Sequence, residues 1–501
     1  MDIERNCEMD HSYLLGIDVG TQGTKAVVIS PEGKVVAEGQ SSYQFQSLKA
    51  GWAEQHPSVW WEAVTESIRQ LWRKGISPND IKAVGVTGQM HSLVLLGEDG
   101  KELREAILWN DVRTMNECKE IEDKIGADRI YDLTKNAVLP GFTAPKLLWV
   151  KKYEQAVFDK IAHVLMPKDY IVYKLSGIMS ADVSDASGTS LFETEKRDWS
   201  AELIKGLGFD IKWFPEVHES SEIVGSIDKK ASDQTGLPLH IPVVAGAGDN
   251  AAAALGNGIY KESVATISIG TSGTVFTPLN KLPLLKRTEG NTMHLFCHCL
   301  PDMWHAMGTT LSAGMSLKWL KEAFYNETYE DILNPIDQVD PGCSGLLFLP
   351  YLNGERTPIN NPDAKGVFFG MQYMHRQEHF ARAVIEGVSF SLQDCLLMIK
   401  ENGIPVEKIY ATGGAVKNKW WTRILADVLQ QNLHIHKERE GPAYGASILA
   451  GLGIGVWDNV TELDSLFNQD EVVQYDEKTE LVYDKQYRKY KNIYKALKDH
   501  F

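Results

Sequence analysis

Cysteine is scarce in this sequence. The 501 residues contain six cysteines, which are Cys7, Cys118, Cys297, Cys299, Cys343 and Cys395. Six is too few for a disulfide framework in a chain of this length. We therefore expect reduced thiols and a cytoplasmic protein.

Long apolar runs and basic runs are also missing. No apolar run reaches the ~20 residues that span a bilayer, and the polar N-terminus MDIERNCEMDHSY lacks the apolar centre of a signal peptide. The formal net charge is −16, without a long stretch of lysine and arginine. This charge argues against a nucleic acid or a membrane as the main partner, although local amide groups and lysines still suit a small phosphorylated ligand.

Length and patterning indicate two large α/β domains. A chain of 501 residues is too long for one ordinary hydrophobic core. Apolar residues at helical spacing in HPSVWWEAVTESIRQLWRKG (56–75) are followed by the strand-like IKAVGVTGQM (81–90), and the same alternation returns near the C-terminus. Alternating helices and strands are typical of an α/β fold.

Two segments half a chain apart repeat one pattern. GIDVGTQGTKAVVIS (16–30) and TISIGTSGTVFTPL (266–279) each predict a strand, a Gly-Thr-polar-Gly-Thr turn and a second strand. Glycine lets the backbone approach a ligand, and successive amide groups of a turn bind anions. Either turn alone is better explained by a simple β-hairpin. The pairing favours two domains of related design, divided near residue 260, that hold a polyphosphate between their turns.

Two carboxylates and a glycine pair are further candidates. Asp18 precedes the first turn, where a Mg²⁺ ion that bridges a bound phosphate needs a carboxylate. Asp249, in VVAGAGDNAAAALG, suits a helix N-cap and equally suits a base that accepts a proton from a substrate hydroxyl. Gly413 and Gly414, in ATGGAVKNKWW, predict either a place where adenosine lies against the backbone or a tight strand-to-helix connection.

Together these motifs resemble the FGGY carbohydrate kinase family of the actin-like nucleotide-binding superfamily. The similarity runs from about Tyr13 to about Gly455, and GFTAPKLLWV (141–150) and KGVFFGMQYMHRQEHFARAVIEG (365–387) match the family's two signature regions. The motifs GQMHS, ILWNDVRT, GAGDNAAAALG and LPYLNGERTP are most similar to the xylulokinase branch. Ser92 departs from that branch, which usually has glycine after the Met-His pair, and matches many gluconate kinases instead.

The resemblance implies a fold and a reaction. The fold would be two actin-like (ribonuclease H-like) α/β domains at 13–260 and 261–501 with a catalytic cleft between them, preceded by an extension at 1–12. The reaction would transfer a phosphoryl group from ATP, with Mg²⁺, to a small-molecule sugar, converting D-xylulose to D-xylulose 5-phosphate. A homodimer is compatible with this resemblance.

The resemblance also implies a role for each candidate residue. Asp249 would be the general base, and Asp18 would position Mg²⁺. The sugar would contact Met90, His91, Trp109, Asp249 and Asn250. The nucleotide would contact Thr21, Gln22, Gly23, Gly270, Thr271, Ser272, Gly314, Lys318, Gly413, Gly414 and Asn418, the last three beside the adenosine.

Two other functions remain open. One is a kinase of the same family for gluconate, ribulose or another polyol, and the other is an actin-like ATPase that switches a polymer or a polypeptide-binding surface. A switch needs no hydroxyl acceptor, so Asp249-Asn250 favours a sugar kinase. The segment HLFCHC is interpreted as structural rather than metal-binding. Glu355 and Arg356 suit either an active site or an ion pair.

Overall fold

The chain forms two compact units. The computed structural model describes residues 12–285, 292–436, 441–467 and 470–501. The first unit comprises the described residues within 1–258, 296–303 and 439–468, and the second unit comprises those within 259–295, 304–438 and 469–501. Two segments from the second half of the sequence therefore belong to the first unit. The sequence-based division near residue 260 assigned both of them to the second domain.

Strands occur in both units and are numbered along the chain. They are β1 Tyr13–Val19, β2 Gly23–Ile29, β3 Val35–Ser42, β4 Glu54–Gln55, β5 Ile81–Gly88, β6 Val94–Leu96, β7 Ala106–Ile107, β8 His163–Leu165, β9 Ala181–Asp182, β10 Phe192–Glu193, β11 Asp198–Trp199, β12 Val217–His218, β13 Ile223–Ser226, β14 Pro242–Val244, β15 Ala247–Gly248, β16 Ser263–Ile269, β17 Gly273–Leu279, β18 His294–Cys297, β19 Trp304–Thr310, β20 Leu347–Leu349, β21 Val367–Phe369, β22 Val406–Thr412, β23 Leu433–His436 and β24 Asp470–Val473.

The helices alternate with these strands. They are α1 Pro57–Arg73, α2 Met115–Ile125, α3 Ala127–Thr134, α4 Thr143–Tyr153, α5 Gln155–Phe158, α6 Pro167–Ser176, α7 Val183–Ala186, α8 Ala201–Gly206, α9 Lys229–Thr235, α10 Asp249–Gly256, α11 Gly314–Phe324, α12 Tyr329–Leu333, α13 Gln377–Glu401, α14 Lys419–Leu429, α15 Gly441–Gly453 and α16 Glu480–Leu497. Within the described residues, none of the helices has the length and apolar character that crossing a membrane requires.

The two large sheets share one design. The first has the strand order β13-β14-β5-β1-β2-β3, with β15 added to β5, and the second has the order β18-β19-β17-β16-β22-β23-β24. In the first sheet β1 pairs antiparallel with β2 and parallel with β5, and β14 continues the parallel part. In the second sheet β16 pairs antiparallel with β17 and parallel with β22, and β23 continues it. The predicted α/β class and the predicted relation between the two halves are confirmed.

Amphipathic helices cover these sheets. In the first unit, Trp60, Val64, Ile68 and Leu71 of α1 are fully buried in one core with the sheet residues, as their helical spacing predicts. In the second unit, α13 presents its buried side chains to a separate core that includes residues of β16, β17 and β22. Each large sheet thus packs against helices in a hydrophobic core of its own, and this packing holds the strands and their ends in position.

Helix α15 packs unusually close to the first sheet. Gly16 and Gly85 are register partners on β1 and β5. A Cβ atom on Gly16 would lie 1.8 Å from the carbonyl oxygen of Ala443, and one on Gly85 would lie 2.0 Å from that of Ala446. Only glycine permits this approach of the two backbones. The approach explains why the segment that contains α15 belongs to the first unit.

Candidate functional site

Both predicted glycine turns are present. In the first unit β1 and β2 flank the turn Gly20–Gln22, in which the Gly20 amide donates to the Gly23 carbonyl at 3.0 Å. In the second unit β16 and β17 flank the turn Gly270–Ser272, in which the Gly270 amide donates to the Ser272 carbonyl at 3.0 Å. The predicted strand–turn–strand units are confirmed, and all four strands have seven residues.

Asp18 is a largely desolvated carboxylate near the end of β1. Within the part of the chain that the structure describes, its Oδ1 is buried and has no hydrogen-bond partner. Burial and, to a smaller extent, the charge of Asp249 raise the pKa of Asp18 to about 8, against the opposing effect of Lys25. Asp18 on β1 and Ala247 on β15 are both register partners of Thr87 on β5, and Asp249 follows β15 directly. The first unit therefore places Asp18 and Asp249 at the same edge of its large sheet.

Asp249 is the first residue of α10, and Gly248 holds the N-cap position. The expectation that Asp249 is the N-cap is wrong because β15 ends at Gly248, whose extended ψ of 147° makes it the last non-helical residue. The Oδ1 of Asp249 accepts a hydrogen bond from Nδ2 of Asn250 at 3.2 Å. Burial raises the pKa of Asp249 to about 7, although backbone amides at the start of the helix oppose the shift. A carboxylate with this pKa suits proton transfer near neutral pH.

Met90 and His91 form a turn that contacts Asn250. Nδ2 of Asn250 lies 3.7 Å from the sulfur of Met90. His91 adopts a positive φ of 66°, its Nδ1 lies 2.7 Å from the Gly188 carbonyl oxygen, and its ring stacks on Phe142 at 4.5 Å between centroids. The structure thus places Met90, which His91 follows in the chain, beside Asn250 and Asp249 at the start of α10. That these residues contact a sugar stays a prediction.

Lys146 supports this turn and is a residue that the sequence analysis did not single out. Its ammonium group is fully buried and donates to the His91 carbonyl at 2.9 Å and to the Gly141 carbonyl at 2.5 Å. Burial lowers the pKa of Lys146 well below its usual value, although Asp111 opposes the shift. The lysine of GFTAPKLLWV carried no local signal of this role, since its partners are carbonyl groups that a sequence does not reveal.

Trp109 links the loop that contains Ser92 to the first glycine turn. Its indole Nε1 donates to Oγ1 of Thr21 at 2.9 Å, and its backbone amide donates to Oγ of Ser92 at 3.1 Å. The hydroxyl groups of Thr21 and Ser92 each lie 3.4 Å from Oε1 of Gln89. Ser92 is fully buried. A serine in place of glycine at this position therefore supplies a hydroxyl that holds the backbone of Trp109. Gln89 is a second residue that the sequence analysis missed.

The second unit contains a pocket of about 850 Å³, which is within the range of ~300–1,000 Å³ typical of small-molecule sites. Six predicted nucleotide residues line it, namely Gly270, Thr271, Gly314, Lys318, Gly414 and Asn418. Ser272 and Gly413 do not line it. The amides of Ala313 and Met315 donate to the Thr271 carbonyl at 3.0 and 3.1 Å, so the start of α11 is attached to the turn.

Asn418 lines this pocket, and Gly413 directly precedes Gly414, which lines it too. Gly413 has a φ of 91°, and a Cβ atom there would lie 2.4 Å from the Ile269 carbonyl oxygen, so glycine is required. Oδ1 of Asn418 caps α14 by accepting from the amides of Trp420 and Trp421 at 3.0 and 3.1 Å. This cap leaves the Nδ2 group of Asn418 for a ligand.

The remaining predicted nucleotide residues lie in the first unit. Gln22 lines a hollow of about 570 Å³ with Ser42, Tyr43, Gln44 and Phe45. The Tyr43 amide donates to the Gln22 carbonyl at 3.1 Å, and the Tyr43 hydroxyl donates to the Gly20 carbonyl at 2.7 Å. Gly23 is the first residue of β2 and lies close to Ser41 of β3. A Cβ atom on Gly23 would lie 3.0 Å from the Ser41 carbonyl oxygen.

Three buried carboxylates form the one cluster in the described residues with metal-ligand spacing. The candidate ligand atoms of Asp169, Asp182 and Asp185 lie within 4.8 Å of one another. The ammonium group of Lys168 contacts Asp169 and lies 2.9 Å from Oδ1 of Asp182. Burial disfavours the charged form of Lys168, but the attraction of these aspartates is stronger and raises the pKa of Lys168. Lys168 therefore supplies the positive charge of the cluster.

Two other predicted segments have structural roles. The thiol groups of Cys297 and Cys299 are buried and lie 3.4 Å from the carbonyl oxygens of Thr194 and Ala251 respectively. The carboxylate of Glu355 accepts from the Leu311 amide at 2.9 Å and from the Arg356 amide at 2.8 Å. Glu355 therefore braces the segment before α11 by accepting backbone amides.

Comparison with known proteins gives the family. Residues 13–256 match the N-terminal domain of the FGGY family of carbohydrate kinases, and residues 265–454 match its C-terminal domain. A xylulose kinase of Staphylococcus xylosus is 37% identical over 97% of this chain and 100% of its own length. A xylulose kinase of Bacillus subtilis (strain 168) is 37% identical over 97% of each chain. A crystal structure of a "xyloylose kinase" from Brucella ovis is 33% identical, with a TM-score of 0.91 over 98% of this chain and 100% of that one.

These matches cover both units and confirm the predicted two-domain α/β fold. A relative that is 37% identical over 97% of the chain leaves no large part of it unmatched. The chain therefore belongs to the FGGY family of carbohydrate kinases, which are phosphotransferases that use ATP.

Proposed function

We propose that this protein is an ATP-dependent kinase that converts D-xylulose to D-xylulose 5-phosphate. Relatives named as xylulose kinases at 37% identity support this substrate. The arrangement that carries the proposal is the desolvated carboxylate of Asp249 beside Asn250 and the Met90–His91 turn. A carboxylate and an amide side by side suit a polyhydroxylated substrate, since one accepts a proton and the other both donates and accepts hydrogen bonds.

Asp249 acts as the general base in this proposal. It accepts the proton of the sugar hydroxyl as that oxygen bonds to the γ-phosphorus of ATP and the bond from this phosphorus to the oxygen of ADP breaks, while Asn250 holds a neighbouring hydroxyl. A positioned base contributes roughly 10²–10⁴-fold to such a reaction. Met90 and His91 line the sugar site, and Trp109 packs at its edge. Because phosphoryl transfer has a loose transition state, alignment of the hydroxyl and neutralisation of charge account for most of the catalysis.

The pocket of the second unit receives the adenosine of ATP. Gly413, Gly414 and Asn418 contact the adenosine, and Gly314 and Lys318 lie on the facing helix α11. Gly270, Thr271 and Ser272 donate hydrogen bonds to phosphate oxygens, and Thr21, Gln22 and Gly23 of the other turn do the same. The shared cleft that these two sets imply stays a prediction.

Asp18 is the residue that would hold Mg²⁺. Its Oδ1 is buried and has no hydrogen-bond partner among the described residues, and its pKa is raised. Both properties are expected of a carboxylate that gains its partner only when the metal–nucleotide complex binds. When bound, Mg²⁺ neutralises charge on the phosphate oxygens of ATP. Asp18 itself would keep the ion in place relative to the first glycine turn.

Two other functions are tested against this one. We propose an assay of ADP release with D-xylulose, D-ribulose, gluconate and glycerol, and without any sugar. D-xylulose should give the highest kcat/KM. Turnover with gluconate alone would reassign the substrate, for which Ser92 is the sequence signal. Nucleotide hydrolysis without sugar, together with nucleotide-dependent polymerisation, would favour the ATPase switch.

The pH dependence should follow Asp249. Only the ionised carboxylate accepts a proton, and its pKa is raised to about 7. We therefore expect kcat/KM for D-xylulose, measured at saturating Mg–ATP, to fall about tenfold per pH unit below pH 7 and to level off above it. A fall that begins only near pH 4 would contradict a desolvated base.

Filling the pocket should weaken nucleotide binding alone. Among the described residues other than its two chain neighbours, no atom lies within 4 Å of the position that a Cβ atom on Gly414 would take, so a side chain there should not disturb folding. We expect Gly414→Leu to raise KM for ATP by about tenfold or more, and KM for D-xylulose to stay unchanged. Gly414→Ala is the matched control, with a change of less than about threefold. Equal effects on both substrates would contradict the assignment of the pocket.

The remaining proposals concern location and assembly. The five described cysteines are free and buried, which supports the predicted reducing, cytoplasmic setting. A homodimer stays a prediction that sedimentation of the purified chain would test.

A further inference from the structure

The backbone next to Asp249 is attached to a buried side chain far away in the sequence. The amide of Gly248 donates a hydrogen bond to Oγ of Ser184 at 3.0 Å. Ser184 belongs to α7, and the hydrogen bond joins residues 64 positions apart. Strand β15, which delivers Asp249, has only two residues, paired with Thr87 and Gly88 of β5. Such a short strand needs an additional attachment to fix the residue that follows it.

The hydroxyl of Ser184 has a fixed direction. It donates to Oδ2 of Asp182 at 2.6 Å, and the Ser184 amide donates to the same oxygen at 2.8 Å. A hydroxyl has one proton, so this donation leaves its lone pairs to accept from Gly248. Ser220 adds a third hydrogen bond to Oδ2 of Asp182 at 2.9 Å. The acceptor presented to Gly248 therefore cannot rotate away without breaking a bond to a carboxylate.

A buried ion pair fixes the carboxylate in turn. Nζ of Lys168 lies 2.9 Å from Oδ1 of Asp182, and both side chains are fully buried. Neither oxygen of Asp185 has a hydrogen-bond partner among the described residues, and burial raises the pKa of Asp185 well above its usual value. The ion pair of Lys168 with Asp182 anchors Ser184, and Asp169 contacts the same ammonium group.

We propose that Ser184, held by Asp182 and Lys168, is a positioning residue that keeps the Gly248–Asp249 peptide in the orientation required for proton transfer. The proposal rests on the function proposed above, in which Asp249 is the base. Ser184 does not contact the sugar. It acts by limiting the movement of the backbone that carries the carboxylate. A displacement of a reacting group by about 1 Å costs roughly 10²-fold in rate.

The test is Ser184→Ala in the full-length enzyme. We expect kcat for D-xylulose to fall roughly 10- to 100-fold, with KM values for D-xylulose and ATP within about threefold of the original. Ser180→Ala is the matched control, because Ser180 is also a buried serine and its hydroxyl has no partner within the described part of the chain. That control should keep its kcat. Ser184→Thr restores a hydroxyl and should recover most of the loss.

Several outcomes would overturn the proposal. One is a Ser184→Ala enzyme with unchanged kcat, and another is a loss that threonine does not reverse. If Ser184→Ala fails to fold, Ser220→Ala decides, since it removes one of the three hydrogen bonds to Oδ2 of Asp182. It should lower kcat two- to tenfold at unchanged KM, and an unchanged kcat would overturn the proposal.

The result for Asp249→Asn separates this proposal from the proposed function. If Asp249→Asn is inactive and Ser184→Ala is fully active, only the positioning role is wrong. If Asp249→Asn keeps its turnover, the assigned base is wrong and the positioning role fails with it.

Discussion

Replacing Asp249 by asparagine should lower kcat for D-xylulose by at least ~10²-fold while D-xylulose still binds. Asparagine has nearly the same shape and hydrogen-bonds to the sugar, but it cannot accept the proton that leaves the hydroxyl. The side chain lies beside Asn250 in a desolvated position, so water is a poor substitute for the missing base. Steady-state kinetics and calorimetric titration with D-xylulose measure the two quantities separately.

Asp228→Asn is the control for this substitution. Asp228 caps α9 through a 2.8 Å hydrogen bond to the Ala231 amide, a role that asparagine fills equally well. The control enzyme should keep both kcat and thermal stability. An Asp249→Asn enzyme with near-normal turnover would show that another group accepts the proton.

Replacing Asp18 by asparagine should have two opposite effects. Turnover should fall on the order of 10²-fold, because the carboxylate that holds the metal–nucleotide charge is lost. The melting temperature of the metal-free enzyme at pH 8 should rise by roughly 2–4 °C. The gain arises because Oδ1 of ionised Asp18 is buried without a hydrogen-bond partner among the described residues and the charge of Asp249 is close enough to raise the pKa of Asp18. In the proposed function, the carboxylate that would hold Mg²⁺ is thus maintained at a cost to the stability of the free enzyme.

The sign of the stability effect follows from the pKa. The pKa of Asp18 is raised from 3.8 to about 8, so the folded state holds its proton more tightly than the unfolded state does. Stability is therefore lost as the pH rises from about 4 to about 8, and asparagine removes that loss. The gain in melting temperature should shrink towards pH 4. A gain that is independent of pH, or a destabilised variant, would contradict the assigned environment of Asp18.

Local patterns were enough to predict the two turns and the two carboxylates. A Gly-Thr turn between two apolar runs specifies a hairpin through its own residues, and the same pattern occurs in both halves of the chain. Asp18 and Asp249 each follow an apolar run, so their positions at the ends of β1 and β15 were readable from the sequence. The N-cap was misplaced by one residue, since the last extended residue of a short strand has no distinct signature.

Long-range packing could not be predicted. Helix α15 is rich in glycine and alanine and is buried along most of its length, so no polar face indicates which sheet it covers. Its close approach to Gly16 and Gly85, which no local pattern shows, ties it to the first unit. The hydrogen bond from Gly248 to Ser184 is likewise invisible to a local pattern, because 64 residues separate the partners.

The structure also changes the interpretation of Ser92. From the sequence, this residue separated the chain from most xylulokinases and raised gluconate as a substrate. Ser92 is fully buried, and its hydroxyl accepts the Trp109 amide at 3.1 Å. Its effect on a sugar therefore passes through the position of Trp109, which is 38% exposed. The serine alone is a weak argument for gluconate.

The most direct test of the central claim is a single-turnover reaction with enzyme in excess over γ-labelled ATP and with D-xylulose present. The label should appear on the C5 oxygen of the sugar in one exponential phase, and nuclear magnetic resonance of the product identifies the labelled position. Asp249→Asn should slow that phase by at least ~10²-fold. Label released as inorganic phosphate without a sugar ester, or transfer at an equal rate in the variant, would contradict the account.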